Sequence, residues 1–127
     1  MLARCRRNLA SWRRQADLCL GNAEVLPFCD EAFDVVFHVG GINFFSDRGK
    51  ALSEMVRVAR PGSRLLVVDE TAKAMEALSW SPSARRMLRE YGDRFEPPMA
   101  LVPAGMVDVQ VRSILRGWLY ALSFRKP

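Results

Sequence analysis

The chain has 127 residues, half of them hydrophobic and 26% charged, with a formal net charge of +5, which is the profile of one globular domain rather than two. Arg, Asp or Glu interrupts every apolar stretch before the roughly 20 residues that a membrane-spanning helix needs. Cys5, Cys19 and Cys29 match neither a disulfide framework nor a metal knuckle, and His38 is the single histidine, so a reducing cytoplasm is the expected home and no metal site is expected.

The charge excess belongs to one segment. Residues 1–16 hold five arginines (Arg4, Arg6, Arg7, Arg13, Arg14) and no acid, whereas the remaining 111 residues balance 14 bases against 14 acids. Leu2, Cys5, Leu9, Trp12 and Ala16 recur at three- and four-residue steps, so the segment is expected to be a basic amphipathic helix. Such a helix fits a targeting presequence, a grip on phosphates or anionic lipid, or a solvated arginine face on a helix packed through Leu2, Leu9 and Trp12. The packed helix is the expectation adopted, because charge runs are usually solvated surface and no nucleic-acid signature accompanies this one.

Asp17 to Leu20 reads as a short strand ending in Gly21-Asn22. Phe33 to Val39 is a β-branched and aromatic run that stops at Gly40-Gly41, the pattern of a largely buried strand. Asp47 is an N-cap candidate for a helix through Ala51, Leu52, Met55, Val58 and Ala59, ending at Pro61-Gly62. Arg64 to Asp69 follows as another strand. Helical stretches come next, interrupted by Trp80 and Pro82 and restarted by Ser81-Pro82 up to Gly92. Pro97, Pro98 and Pro103 mark residues 96–104 as a surface loop. The alternation in Val107, Val109 and Val111, and again in Tyr120, Leu122 and Phe124, predicts an antiparallel hairpin turning at Arg116-Gly117. The order of elements is that of an α/β sheet with helices on its faces.

Gly21-Asn22-Ala23-Glu24-Val25-Leu26-Pro27-Phe28, then Asp30, Phe33-Asp34-Val35-Val36 and Glu54-Met55-Val56-Arg57-Val58-Ala59-Arg60-Pro61-Gly62, resemble the second half of class I S-adenosylmethionine (SAM) dependent methyltransferases. Within that superfamily the string is most similar to the small-molecule branch that includes the ubiquinone and menaquinone biosynthesis enzymes. The resemblance covers nearly the whole chain and implies one partial methyltransferase domain over residues 1–127. It implies a Rossmann-like sheet with a C-terminal antiparallel hairpin, SAM as cofactor and a small-molecule methyl acceptor.

Carried onto this sequence, the resemblance sets Asn22, Ala23 and Glu24 beside the adenine, Phe28 at a hydrophobic position near it, and His38, Val39 and Gly40 at the methionine and acceptor end. The rule that ligands sit outside the carboxyl ends of parallel strands points to the same edge. The family's opening strand, glycine-rich loop and ribose-binding acid have no counterpart in these residues. The expected sheet therefore lacks its first two strands, and the edges left unpaired predict a homodimer or a domain swap.

Methyl transfer from a sulfonium is an in-line displacement, for which positioning is the main demand and a base is needed only when the acceptor loses a proton. His38 is the natural base, set against a purely structural role for a lone histidine at a strand end. Asp69-Glu70 faces the acceptor or, as adopted here, caps the following helix. Tyr91, Trp80 and the proline loop cover the acceptor or pack on the sheet. The functions carried forward are a SAM-dependent methyltransferase, a non-catalytic remnant serving as an interaction or oligomerisation module, and a basic-helix protein for nucleic-acid or membrane surfaces.

Overall fold

A computed structural model describes residues 2–127, so Met1 at the head of the basic helix lies outside the described residues. In chain order the elements are helix α1 (Leu2–Ser11), strand β1 (Phe33–Val39), helix α2 (Arg48–Val58), strand β2 (Ala59–Glu70), helices α3 (Ala72–Ala77) and α4 (Pro82–Tyr91), and strands β3 (Val107–Ile114) and β4 (Leu119–Arg125). The strands form one sheet in the order β1-β2-β4-β3. β2 runs parallel to β1 and antiparallel to β4, which closes a hairpin with β3.

The core lies on one face of that sheet. Ala51, Leu52, Met55 and Val58 repeat at helical spacing and are the buried stripe of α2. They face the side of the sheet that carries Leu65 and Val67 of β2 and Tyr120, Leu122 and Phe124 of β4. Asp47 caps α2 as its sequence position suggests, its carboxylate accepting from Lys50 N–H at 2.8 Å. A smaller cluster of Met75, Ala84 and Phe95 joins α3, α4 and the loop that follows. Pro82 takes the first turn of α4, where its missing N–H costs nothing. Arg116 and Gly117, both at positive φ (58° and 88°), turn the hairpin.

Four expectations are corrected. Residues 14–21 carry no regular structure and 17–20 form no strand, because no strand among the described residues offers their backbone a ladder. Helix α1 buries nothing, and Trp12, assigned to packing, is 68% exposed. Helix α2 stops at Val58 rather than at Pro61-Gly62: Ala59 is already extended, and β2 bends through Pro61-Gly62 with a shift of register against β1 between Phe33 and Val35. Finally, β1 is not a buried strand. It is a sheet edge whose alternate residues Phe33, Val35, Phe37 and Val39 are exposed, since only the opposite face meets α2.

Candidate functional site

Strand β1 ends at Gly40-Gly41, and what holds that end is a carboxylate on the neighbouring strand. Asp69, the buried penultimate residue of β2, accepts through one oxygen from Gly41 N–H (3.0 Å) and Asn43 N–H (3.1 Å) and through the other from Glu70 N–H (2.9 Å). Asn43 is also buried; its side-chain amide donates to the Glu70 carbonyl at 3.1 Å and its carbonyl accepts from the Tyr120 hydroxyl at 3.4 Å. Asp69 thus fastens the loop after β1 and does not cap α3. The helix begins at Ala72, and the Thr71 hydroxyl just before it donates to the Gly117 carbonyl at 2.6 Å.

This arrangement sets two neighbouring carboxyls apart in acidity. Burial pushes the Asp69 carboxyl up, but the N–H donors and the Glu70 carboxyl outweigh it, and the group lies below its ordinary value. Glu70 is raised, first because it shares a hydrogen bond with Asp69 and then by burial. Of the two, Glu70 is the weaker acid. Tyr120 is raised by burial and by the Asp69 charge beside it.

The segment before β1 is held by α2. Leu26 N–H donates to Glu54 at 2.7 Å, and Arg57 donates to the carbonyls of Phe28 and Leu26 at 2.8 and 3.0 Å and to Asp30 at 2.7 Å. Arg57 also holds Glu54 itself, in a bidentate pair of 2.7 and 2.8 Å. Farther along, Arg60 reaches Asp34 at 2.6 Å and the Glu31 carbonyl at 3.1 Å. The acid and arginines of the Glu54 to Gly62 string are therefore a latch that positions the loop carrying the expected ligand residues.

Between that loop, β1 and α2 lies an apolar cavity of about 280 Å³, near the lower end of the usual range for ligand pockets of about 300–1,000 Å³. Ala23, Phe28 and His38 line it together with Leu26, Phe45 and Met55. Phe28 stands edge-on to Phe33 (centroids 5.1 Å apart), and His38 edge-on to Phe45 (5.2 Å). The His38 Nε2 is buried with no hydrogen-bond partner. Burial lowers the His38 pKa, a shift that the Asp69 charge partly opposes.

Of the seven residues expected at the cofactor, Ala23, Phe28 and His38 meet at this cavity. Asn22 and Glu24 turn their side chains to local duties: the Asn22 amide oxygen accepts from Glu24 N–H at 2.9 Å in a turn closed by Val25 N–H to the Asn22 carbonyl, and Glu24 accepts from Asp47 N–H at 3.0 Å. Val39 projects from the opposite face, exposed, and Gly40 donates to the Val68 carbonyl at 2.9 Å with φ at 74°. Trp80 is exposed, and Tyr91 packs edge-on to Phe44 at 5.4 Å. Sequence reasoning missed Asn43 as a buried polar link; its place two residues after the Gly40-Gly41 break was the available signal.

Comparison with known proteins agrees with this geometry. The methyltransferase domain family matches residues 1–67, more than half of the chain. A ubiquinone/menaquinone biosynthesis C-methyltransferase UbiE of Marinomonas sp. is 37% identical over 87 residues, covering 68% of this chain and 32% of that protein. The corresponding protein of Klebsiella pneumoniae is 45% identical over 58 residues, covering 46% and 23%. The chain thus spans a third or less of the length of these curated relatives. Among solved structures, a SAM-dependent methyltransferase of Thermotoga maritima superposes with a TM-score of 0.64 at 24% identity, over 96% of this chain and 70% of that one. One from Aquifex aeolicus gives 0.60 at 14% identity, over 93% and 59%. The chain belongs to the methyltransferase domain family, and its fold is that of the SAM-dependent methyltransferases. Within that fold it presents the α/β sheet and C-terminal antiparallel hairpin, while no glycine-rich strand-loop-helix precedes β1 among the described residues.

Proposed function

We propose that this chain takes part in SAM-dependent methyl transfer to a small-molecule acceptor, and that residues 1–127 act in it as one unit. The observation that carries the reading is the apolar cavity between β1 and α2 where Ala23, Phe28 and the unpaired His38 imidazole meet. Its apolar wall at Ala23 and Phe28, with Phe28 edge-on to Phe33, suits a planar base, so these residues fit the adenine end of SAM. When bound, SAM supplies an electrophilic methyl group on its sulfonium. Ala23 and Phe28 would hold the base and exclude water. The loop pinned by Asp69 would fix the far end, with Val39 and Gly40 at its start. Asn22 and Glu24 would border the base through their backbone, since the Asn22 side chain is engaged in the loop's own turn and that of Glu24 at Asp47 N–H.

His38 is the residue proposed to act on the acceptor. Its imidazole is neutral at pH 7 and its Nε2 is free to take a proton, the requirement when carbon or a hydroxyl is methylated. The curated relatives are named C-methyltransferases, which supports carbon as the atom methylated. Three unpaired cysteines support a reducing cytoplasm. No helix among the described residues is long and apolar enough to cross a membrane. Isothermal titration with SAM tests the reading: micromolar binding supports it, and silence at millimolar SAM rejects it in favour of the non-catalytic module.

A further inference from the structure

One planar peptide unit, that joining Gly40 to Gly41, is held from both ends. Its N–H, that of Gly41, donates to the Asp69 carboxylate at 3.0 Å. Its C=O, that of Gly40, points away from Asp69, because a trans peptide sets the two groups in opposite directions. A hydrogen bond between the His38 imidazole and the Gly40 backbone raises the basicity of the ring. Only a bond that the ring donates has that sign, so its acceptor is the Gly40 carbonyl. The His38 Nε2 is buried with no partner, which makes Nδ1 the donor and leaves the Nε2 lone pair free. Gly40 and Gly41 stand at φ 74° and 102°, and a Cβ on either would meet no atom within 4 Å. The two glycines therefore serve the direction of this peptide and not the space around it.

From these contacts we infer that Asp69 is a positioning residue for His38 and acts through the Gly40–Gly41 peptide, its carboxylate on the N–H and the carbonyl on the imidazole Nδ1–H. This relay rests on the reading of His38 as the group that takes the acceptor's proton, and it supplies what makes that group a base. A charged acceptor on the N–H polarises the amide and strengthens its carbonyl, since hydrogen bonds in a chain reinforce one another. The ring proton is thereby kept on Nδ1, and Nε2 presents its lone pair in one orientation. When Nε2 takes a proton the ring becomes a cation, and the charge of Asp69, itself still ionised, stabilises it. Asp69 suits the part because its other partners, Asn43 N–H at 3.1 Å and Glu70 N–H at 2.9 Å, are donors that hold it as a carboxylate. Asp69 on β2 is the charged group that acts on the ring, whereas the walls that α2 and the neighbouring loops give the cavity are apolar, among them Ala23, Leu26, Phe45 and Met55.

Ring-nitrogen NMR of the chain isotopically labelled at histidine reads the relay directly, and the single histidine makes the assignment certain. At neutral pH the wild type should show one tautomer, with the proton on Nδ1. Asp69→Asn keeps an oxygen for the Gly41 N–H and removes the charge, so the tautomer should persist while the His38 titration midpoint falls by about half a pH unit. Asp69→Ala removes the anchor as well and should give a mixture of tautomers. A purely structural Asp69 would weaken the fold in both variants and leave the His38 tautomer and midpoint where they are, which overturns the inference. So does a wild-type ring protonated at Nε2, a result that needs no variant to fold. SAM is absent from every sample, so failure here and silence in the SAM titration are separate outcomes.

Discussion

Arg57 lies one helical turn beyond Glu54 on α2 and grips its carboxylate with two hydrogen bonds, of 2.7 and 2.8 Å, while its remaining donors reach the carbonyls of Leu26 and Phe28. Two residues of one helix thereby hold a chain segment more than twenty residues earlier in sequence. Arg57→Lys is expected to release that segment although the charge is kept, because an ammonium cannot form the planar fork that serves Glu54 and two carbonyls together. Hydrogen exchange should rise at residues 24–31 and stay unchanged in β2 and β4. Equal protection in wild type and variant would show that the fork does not hold the loop.

The same clamp predicts an acid limb to the stability curve. The Glu54 carboxyl is lowered from 4.5 to about 2, chiefly by its hydrogen bonds from Arg57 and from Leu26 N–H. A group depressed in the folded state binds its proton more readily when unfolded. Its contribution is therefore whole above pH 4.5 and disappears as the pH falls toward about 2. Because the pair is partly exposed, solvent screens the effect to a modest size. Urea unfolding of wild type and Glu54→Gln should converge at the acid end of this window and diverge above it.

Asp69 is the single acceptor for the N–H groups of Gly41 and Asn43. Asp69→Ala leaves both without a partner, at about 1–3 kcal/mol for the buried Asn43 donor and less for the half-buried Gly41. Asp69→Asn keeps one oxygen in place for both and should cost clearly less. Chemical denaturation ranks the two variants. An alanine variant as stable as wild type would mean that the loop after β1 is not held from β2.

His38 should show a conflict between stability and function. Its Nε2 is buried in an apolar cavity with nothing to bond, so His38→Leu is expected to gain about 1 kcal/mol of stability while abolishing the proposed proton transfer. Burial lowers the imidazole below 6.5, so protons favour the unfolded chain as the pH drops through that value. The stabilisation by His38→Leu should therefore widen below pH 6.5. As the chain holds one histidine, its ring resonances titrate unambiguously by NMR, and a midpoint at or above 6.5 would contradict the buried, neutral ring.

Much of the secondary structure was legible because it is set by local rules. The bounds of β1 follow from a β-branched run stopped by Gly40-Gly41, the start of α2 from the Asp47 cap, and the hairpin from alternation on either side of Arg116-Gly117. Leu2 to Ser11 is likewise helical as its periodicity suggests, while Trp12 and Ala16 of the same stripe lie beyond the helix. Packing was less legible. The apolar stripe of α1 implies a partner surface, yet periodicity says only that one face is apolar and not that anything covers it. Asp17 to Leu20 failed as a strand for a related reason: strand propensity is realised only beside another strand.

The candidate site divides in the same way. Ala23 and Phe28 were named from the family string and His38 from its place near the end of β1, and the three do share a cavity, whereas Asn22 and Glu24 came from the same string and spend their side chains on backbone N–H groups of Glu24 and Asp47. Asp69 was visible as an acid at a strand end, but its partners 26 and 28 residues earlier were not.

What the amino-acid order determined by itself is the class of fold, the helices and strands after Pro27 and the family, since each rests on neighbours a few residues apart. Tertiary structure alone decided that β1 is an edge with one bare face, that α1 buries nothing, and that Asp69 serves a loop rather than a helix. Burial and hydrogen-bond satisfaction depend on which distant segments arrive at the same place, and no local pattern carries that information.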